Sequence, residues 1–77
     1  MKTSIIGRKE KGNVETYTVK AGRYLFDIIL DHKNHETLIF DHQREIFISE
    51  FYGSYLSTAL KEIKQFLNLW HLKKGLK

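Results

Sequence analysis

The hydrophobic period of this chain changes once, after Ser49, and that change dictates its architecture. Up to that point apolar and β-branched residues recur at every second position, the period of a strand; beyond it they recur at every third and fourth, the period of a helix. "VETYTVK" sets Val14, Thr16 and Thr18 against Glu15, Tyr17 and Val19. "RYLFDIILD" sets Tyr24, Phe26, Ile28 and Leu30 against Leu25, Asp27, Ile29 and Asp31. Both runs are rich in residues that fit a pleated, half-buried surface. "TLIFDH" and "EIFIS" read as further short strands, joined at 42–44. The links "AG" and "HKNHE" are too short for a parallel crossover, so neighbouring strands are expected to pair antiparallel. Within the second link, Asn34 is the residue suited to a left-handed backbone conformation.

After Ser49, Leu56, Leu60, Ile63, Leu67 and Trp70 form one stripe of a helix, widened by Ala59 and Phe66. From Tyr55 round to Leu60 the apolar arc spans about 140°, and Leu69 extends it, which is broad for a helix facing a single core. Lys61, Lys64, Gln65 and Asn68 occupy the other side. The expectation is an α+β fold, ββββα: a four-stranded antiparallel sheet, five-stranded if "TSII" also pairs, then one long C-terminal helix. Residues 1–77 make a single domain, with 1–13, containing "RKEKGN", expected as a flexible basic arm and 14–72 as sheet plus helix.

The chain has 77 residues and no cysteine. A domain this short buries only about 60–65% of the surface that its unfolded chain exposes. Disulfides and thiolate zinc sites are excluded, so self-association is the expected remedy. A cysteine-free chain suits a reducing compartment. "MKTSIIGRKEKGN" lacks the apolar region of a signal peptide, and no run approaches the ~18 apolar residues of a membrane span. A cytoplasmic protein with no membrane partner is expected. Charge is segregated along the chain: residues 1–23 carry +4, residues 24–50 carry −4 and residues 51–77 carry +4. The basic ends can attract phosphates, whereas the acidic middle cannot.

The segment "KAGRYLFDIILDHKNHETLIFDH" has a basic, glycine-containing turn leading into an aromatic strand centred on Phe26, Asp27 and Ile28. "REIFISEFYGSYLSTALKEIKQFL" carries an aliphatic–aromatic–aliphatic strand, Ile46, Phe47 and Ile48, running into an amphipathic helix. Over about residues 15–70 this resembles the PUR-domain family of single-stranded nucleic-acid-binding proteins and, more distantly, the Whirly type. The resemblance implies a curved antiparallel sheet capped by a helix, and a homodimer, because that family pairs two repeats through their helices. The chain departs from the family pattern in its second hairpin, which is acidic and lacks glycine.

Every central strand is apolar on both sides, and one helix covers one side only. On the nucleic-acid reading, rings on the second face stack on unpaired bases: Tyr17 and Phe47, with Tyr24. Lys20, Arg23 and Arg44 hold phosphates, and Arg8, Lys9 and Lys11 add an electrostatic arm. Binding to single-stranded DNA or RNA would be weak and without strong sequence preference. The helix residues Tyr55, Ala59, Phe66, Leu69 and Trp70 are the expected dimer interface. The competing reading is a protein-interaction or regulatory module whose acidic hairpin docks on an unidentified protein partner. His32, His35, Asp31, Asp41 and His42 cluster in sequence without the spacing that fixes a metal site, so no metal or other cofactor is expected. No nucleophile stands in a recognisable context, and no enzyme is expected. The tail "NLWHLKKGLK" mixes apolar residues with lysines but continues the helix stripe through Trp70, so it reads as helix rather than membrane anchor.

Overall fold

In the computed structural model the chain forms five strands and one helix: β1 Thr3–Lys11, β2 Val14–Ala21, β3 Tyr24–Asp31, β4 Glu36–Asp41, β5 Ile46–Tyr52 and α1 Leu56–Gly75. The structure describes the backbone of residues 2–75 and the side chains of residues 2–69. The strands form one antiparallel meander in the order β1-β2-β3-β4-β5, followed by the helix. Fold class is therefore α+β with the five-stranded option realised.

The segment expected as a flexible basic arm is instead an edge strand. Residues of β1 pair with β2 from Thr3 opposite Ala21 to Lys11 opposite Val14, with a bulge between Ile5 and Gly7. The reason is the two-residue link Gly12–Asn13: Gly12 has φ 61°, which only glycine adopts without cost, and it turns the chain straight back on β2. Lysines and a bulge on that edge also disfavour further strand addition.

The same device recurs at Gly22 (φ 63°), between β2 and β3. The two later links are four-residue loops, each opened by an aspartate. Asp31 Oδ1 accepts the N–H groups of Lys33 and Asn34, and Asp41 Oδ1 accepts that of Gln43. Each loop closes on a left-handed residue, His35 (φ 54°) and Glu45 (φ 57°). Asn34, expected in that conformation, instead donates its side-chain amide to Asp31 Oδ2 at 2.8 Å. Its hydrogen-bonding capacity is spent on fixing the loop, and the strained position falls one residue later.

The helix covers the face formed by Tyr17, Val19 and Ala21 of β2, Tyr24, Phe26, Ile28 and Leu30 of β3, and Thr37 and Ile39 of β4. Ala59, Ile63 and Leu67 complete this core, with Leu56, Leu60 and Phe66 partly buried beside it. Phe66 meets Phe26 edge to face at 6.2 Å. The single buried hydroxyl of the sheet, Thr37 Oγ1, donates to the Gly53 carbonyl at 2.5 Å, tying β4 to the start of the helix.

Gly53 is the tightest point of that junction. It has φ 104°, and a Cβ there would lie 2.6 Å from the Tyr55 ring. Gly53→Ala should lower stability by about 1–3 kcal/mol, and Ile63→Ala by about 2–5 kcal/mol, both read as urea midpoints. A Gly53→Ala midpoint equal to that of the unaltered protein would contradict the strain assigned here.

Candidate interaction surface

The sheet face away from the helix carries no element of the chain. Cross-strand register sets it out in rows, because residues directly opposite one another share a face. One row holds Lys11, Val14, Asp31, Glu36 and Tyr52. The next holds Lys9, Thr16, Ile29, Leu38 and Glu50. The third holds Gly7, Thr18, Asp27, Phe40 and Phe47, and at the end of the sheet stand Ser4, Lys20 and Leu25. Ile29, Leu38, Leu25 and Phe40 are half-buried, and Phe47 is 57% exposed with its ring 5.1 Å from Phe40.

Charge on this face is divided across the strands. Lys9 and Lys11 lie on β1 and Lys20 on β2, while Asp31, Glu36 and Glu50 lie on β3, β4 and β5. The one acid near the centre of the apolar strip, Asp27, is satisfied internally: it accepts the Thr18 hydroxyl at 3.0 Å and pairs with His42 at 3.0 Å. An apolar middle between a basic flank and an acidic flank is thus built from alternate residues of all five strands.

The residues expected to bind nucleic acid are dispersed. Tyr17 and Tyr24 lie on the helix face, packed against the core, and cannot stack on a ligand at the open face. Tyr17 belongs there because it opposes Ile28, a core residue. Arg8 opposes Tyr17 and lies on that same side, where it pairs with Glu15 at 2.6 Å and Glu10 at 3.1 Å. It is no arm. Lys9 and Lys11 do reach the open face, on the strand furthest from Phe47. Lys20, Arg23 and Arg44 gather at one end of the sheet, where two links lie: Arg23 over the Tyr24 ring, and Arg44 over Phe66 and 3.6 Å from Asp41.

The expected helix interface is likewise divided. Ala59 is fully buried against the sheet and offers nothing to a partner. Phe66 is partly buried beneath Arg44, and Trp70 lies outside the described side chains. Tyr55 and Leu69 are 63% and 62% exposed but stand roughly 21 Å apart along the helix. Phe40, Leu38, Ile29 and Thr16, which line the open face, were the residues that sequence reasoning passed over. Their signal was present in the alternation of β2, β3 and β4.

A cleft of about 520 Å³ opens at the start of the helix, lined by His32, His35, Tyr52, Gly53, Ser54 and Tyr55. His32 is turned toward Glu15, with Nε2 2.6 Å from Oε1. His42 is paired with Asp27, so the two histidines serve separate acids rather than one centre. No helix among the described residues is long and apolar enough to cross a membrane. The chain matches no family model, no curated protein and no solved structure. The likeness to PUR domains accordingly stands on the quoted residues alone.

The hydrogen bond from His32, then those from Arg8 and Tyr17, lower the Glu15 carboxyl from 4.5 to about 2. Asp31 is also lowered, chiefly by the backbone and side-chain N–H groups of Asn34. A lowered carboxyl stabilises the fold above its unfolded-state pKa and ceases to do so as pH falls through its folded value. The urea midpoint should therefore drop as pH falls from 4.5 toward about 2, and Glu15→Gln should flatten the drop, leaving the part due to Asp31. An unchanged slope in the variant would remove Glu15 from the account.

Proposed function

We propose that this protein is an interaction module that acts by docking another protein on its open sheet face. The observation that carries the reading is the strip Ile29, Leu38, Phe40 and Phe47, apolar side chains on a face no element of the chain covers. A strip of this kind, rimmed by charge, is the usual anatomy of a protein interface. With strands about 4.8 Å apart and face-sharing residues about 6.8 Å apart along a strand, the face measures roughly 19 by 20 Å. That footprint, roughly 380 Å² a side, is about half the ~800 Å² a side of a standard specific interface, which suits a weak, reversible contact. Nothing in the reading calls for a cofactor, and association rather than catalysis is the proposed activity.

Carbene footprinting of the protein in dilute solution, at high concentration and in cell extract tests this. Leu38, Phe40 and Phe47 should be protected in at least one of the two latter conditions. Equal labelling in all three would overturn the reading.

One arrangement favours single-stranded nucleic acid as a second reading: Lys20, Arg23 and Arg44 gather at one sheet end, and the exposed Phe47 ring lies toward that end of the open face. Phosphate capture by those cations with a base on Phe47 would be sequence-tolerant and steeply salt-dependent. Against it, Asp27 lies directly beside Phe40 in the ladder and Glu50 follows Phe47 on β5, where a phosphate backbone would be repelled. Fluorescence anisotropy with a labelled oligonucleotide at low salt separates the two. No binding is expected; salt-sensitive binding lost on Lys20→Ala with Arg23→Ala would establish the second reading instead.

A further inference from the structure

We infer that the partner on the open face is a second copy of this chain, laid face to face about a two-fold axis that runs parallel to the strands over β3. The inference rests on the docking reading above and goes beyond it in naming the occupant and its orientation.

The argument is the division of charge. Two sheets stacked about a two-fold axis in their common plane, with their strands kept aligned, can be overlaid in two ways. An axis across the strands lays β1 on the partner's β1 with the rows reversed, so that the lysine-bearing flanks of the two copies meet and the acidic flanks also meet. That arrangement is repulsive on both flanks. An axis along the strands lays β1 on the partner's β5 and keeps every row at its own height. Lys9 then comes over the partner's Glu50, and Lys11 comes beside the partner's Tyr52 and Glu36. The two copies make each contact twice.

The apolar rows agree with the same overlay. Ile29 lies on the axis and meets the partner's Ile29, while Thr16 meets the partner's Leu38. In the third row Gly7, the one position of β1 on this face without a side chain, comes over the partner's Phe47, the most exposed ring of the strip. A gap on one flank faces a projecting ring from the other. Asp27 and Asp31 each face their own equivalents across the axis, and in each copy these carboxylates are already held, Asp27 by Thr18 and His42 and Asp31 by the N–H groups of Lys33 and Asn34. Among the described side chains the helix offers no comparable surface, because Tyr55 and Leu69 are separated and Ala59 is enclosed.

Charge reversal with complementation tests the orientation. Lys9 and Glu50 are exposed and engage in no ion pair among the described residues, so their reversal should leave the fold intact, which circular dichroism verifies. Sedimentation or light scattering over a micromolar concentration series should show a dimer for the unaltered protein. Lys9→Glu and Glu50→Lys should each weaken it by about tenfold, because each puts like charges together twice. Mixing the two single variants should restore dimers, since every reversed position then meets its opposite, and the double variant should dimerise alone.

A monomer throughout the series would overturn the inference, and so would a dimer indifferent to both reversals but broken by Leu69→Lys. If the purified protein is monomeric while Leu38, Phe40 and Phe47 are protected in cell extract, self-association fails and docking of a different protein stands. If those positions are labelled equally everywhere, both fail.

Discussion

One helix can cover only one face of a sheet, and that limit governs this molecule. The chain is a meander of five strands whose central members are apolar on both sides, followed by a single helix. The helix spends Ala59, Ile63 and Leu67 on one face, and no element remains for the other. Short links between strands enforce this, since they leave nothing that could fold back across the sheet. Among the described residues the second face is thus left open by the topology, and on the proposed reading a partner covers it.

How that face is furnished separates it from an accidental leftover. Its apolar strip is flanked by lysines on the first two strands and by carboxylates on the last three, and its central carboxylate is hydrogen-bonded in place. The side chains on the helix face differ in kind: Arg8, Glu10, Glu15, Tyr17 and His32 form a closed network there, satisfying one another and leaving little for a ligand. Charge inside that network stabilises the protomer, while on the open face Lys9, Lys11, Glu36 and Glu50 have no ion pair among the described residues. Segregated charge of this kind gives orientation more than affinity, and affinity must come from the apolar rows.

Much of this was legible in the sequence. The change of period after Ser49, the alternation in β2 and β3 and the stripe through Leu56, Ile63 and Leu67 gave the α+β architecture directly. "TSII" reads as a possible strand, but its continuation through "RKEK" was hidden because that run is charged throughout and has no apolar alternation; its pairing is imposed by the Gly12 turn and by β2, not by burial. The candidate site was less legible for a related reason. Which face Tyr17 joins depends on register with Ile28, and a shift of one residue would exchange every assignment. The bulge between Ile39 and Phe40 is invisible to periodicity, yet it brings Phe47 opposite Phe40 on the open side. Sequence spacing likewise grouped Ala59 with Tyr55, although burial separates them completely.

The central claim is that the open sheet face, and not the helix, is where this protein meets its own kind. The most direct measurement is an isotope-filtered nuclear Overhauser experiment on a mixture of labelled and unlabelled protein, which detects only contacts between copies. The account predicts intermolecular contacts between the methyl groups of Thr16 and Leu38 and between Ile29 and its equivalent. Contacts confined to Tyr55 or Leu69, or none at concentrations where the mass is that of a dimer, would contradict it.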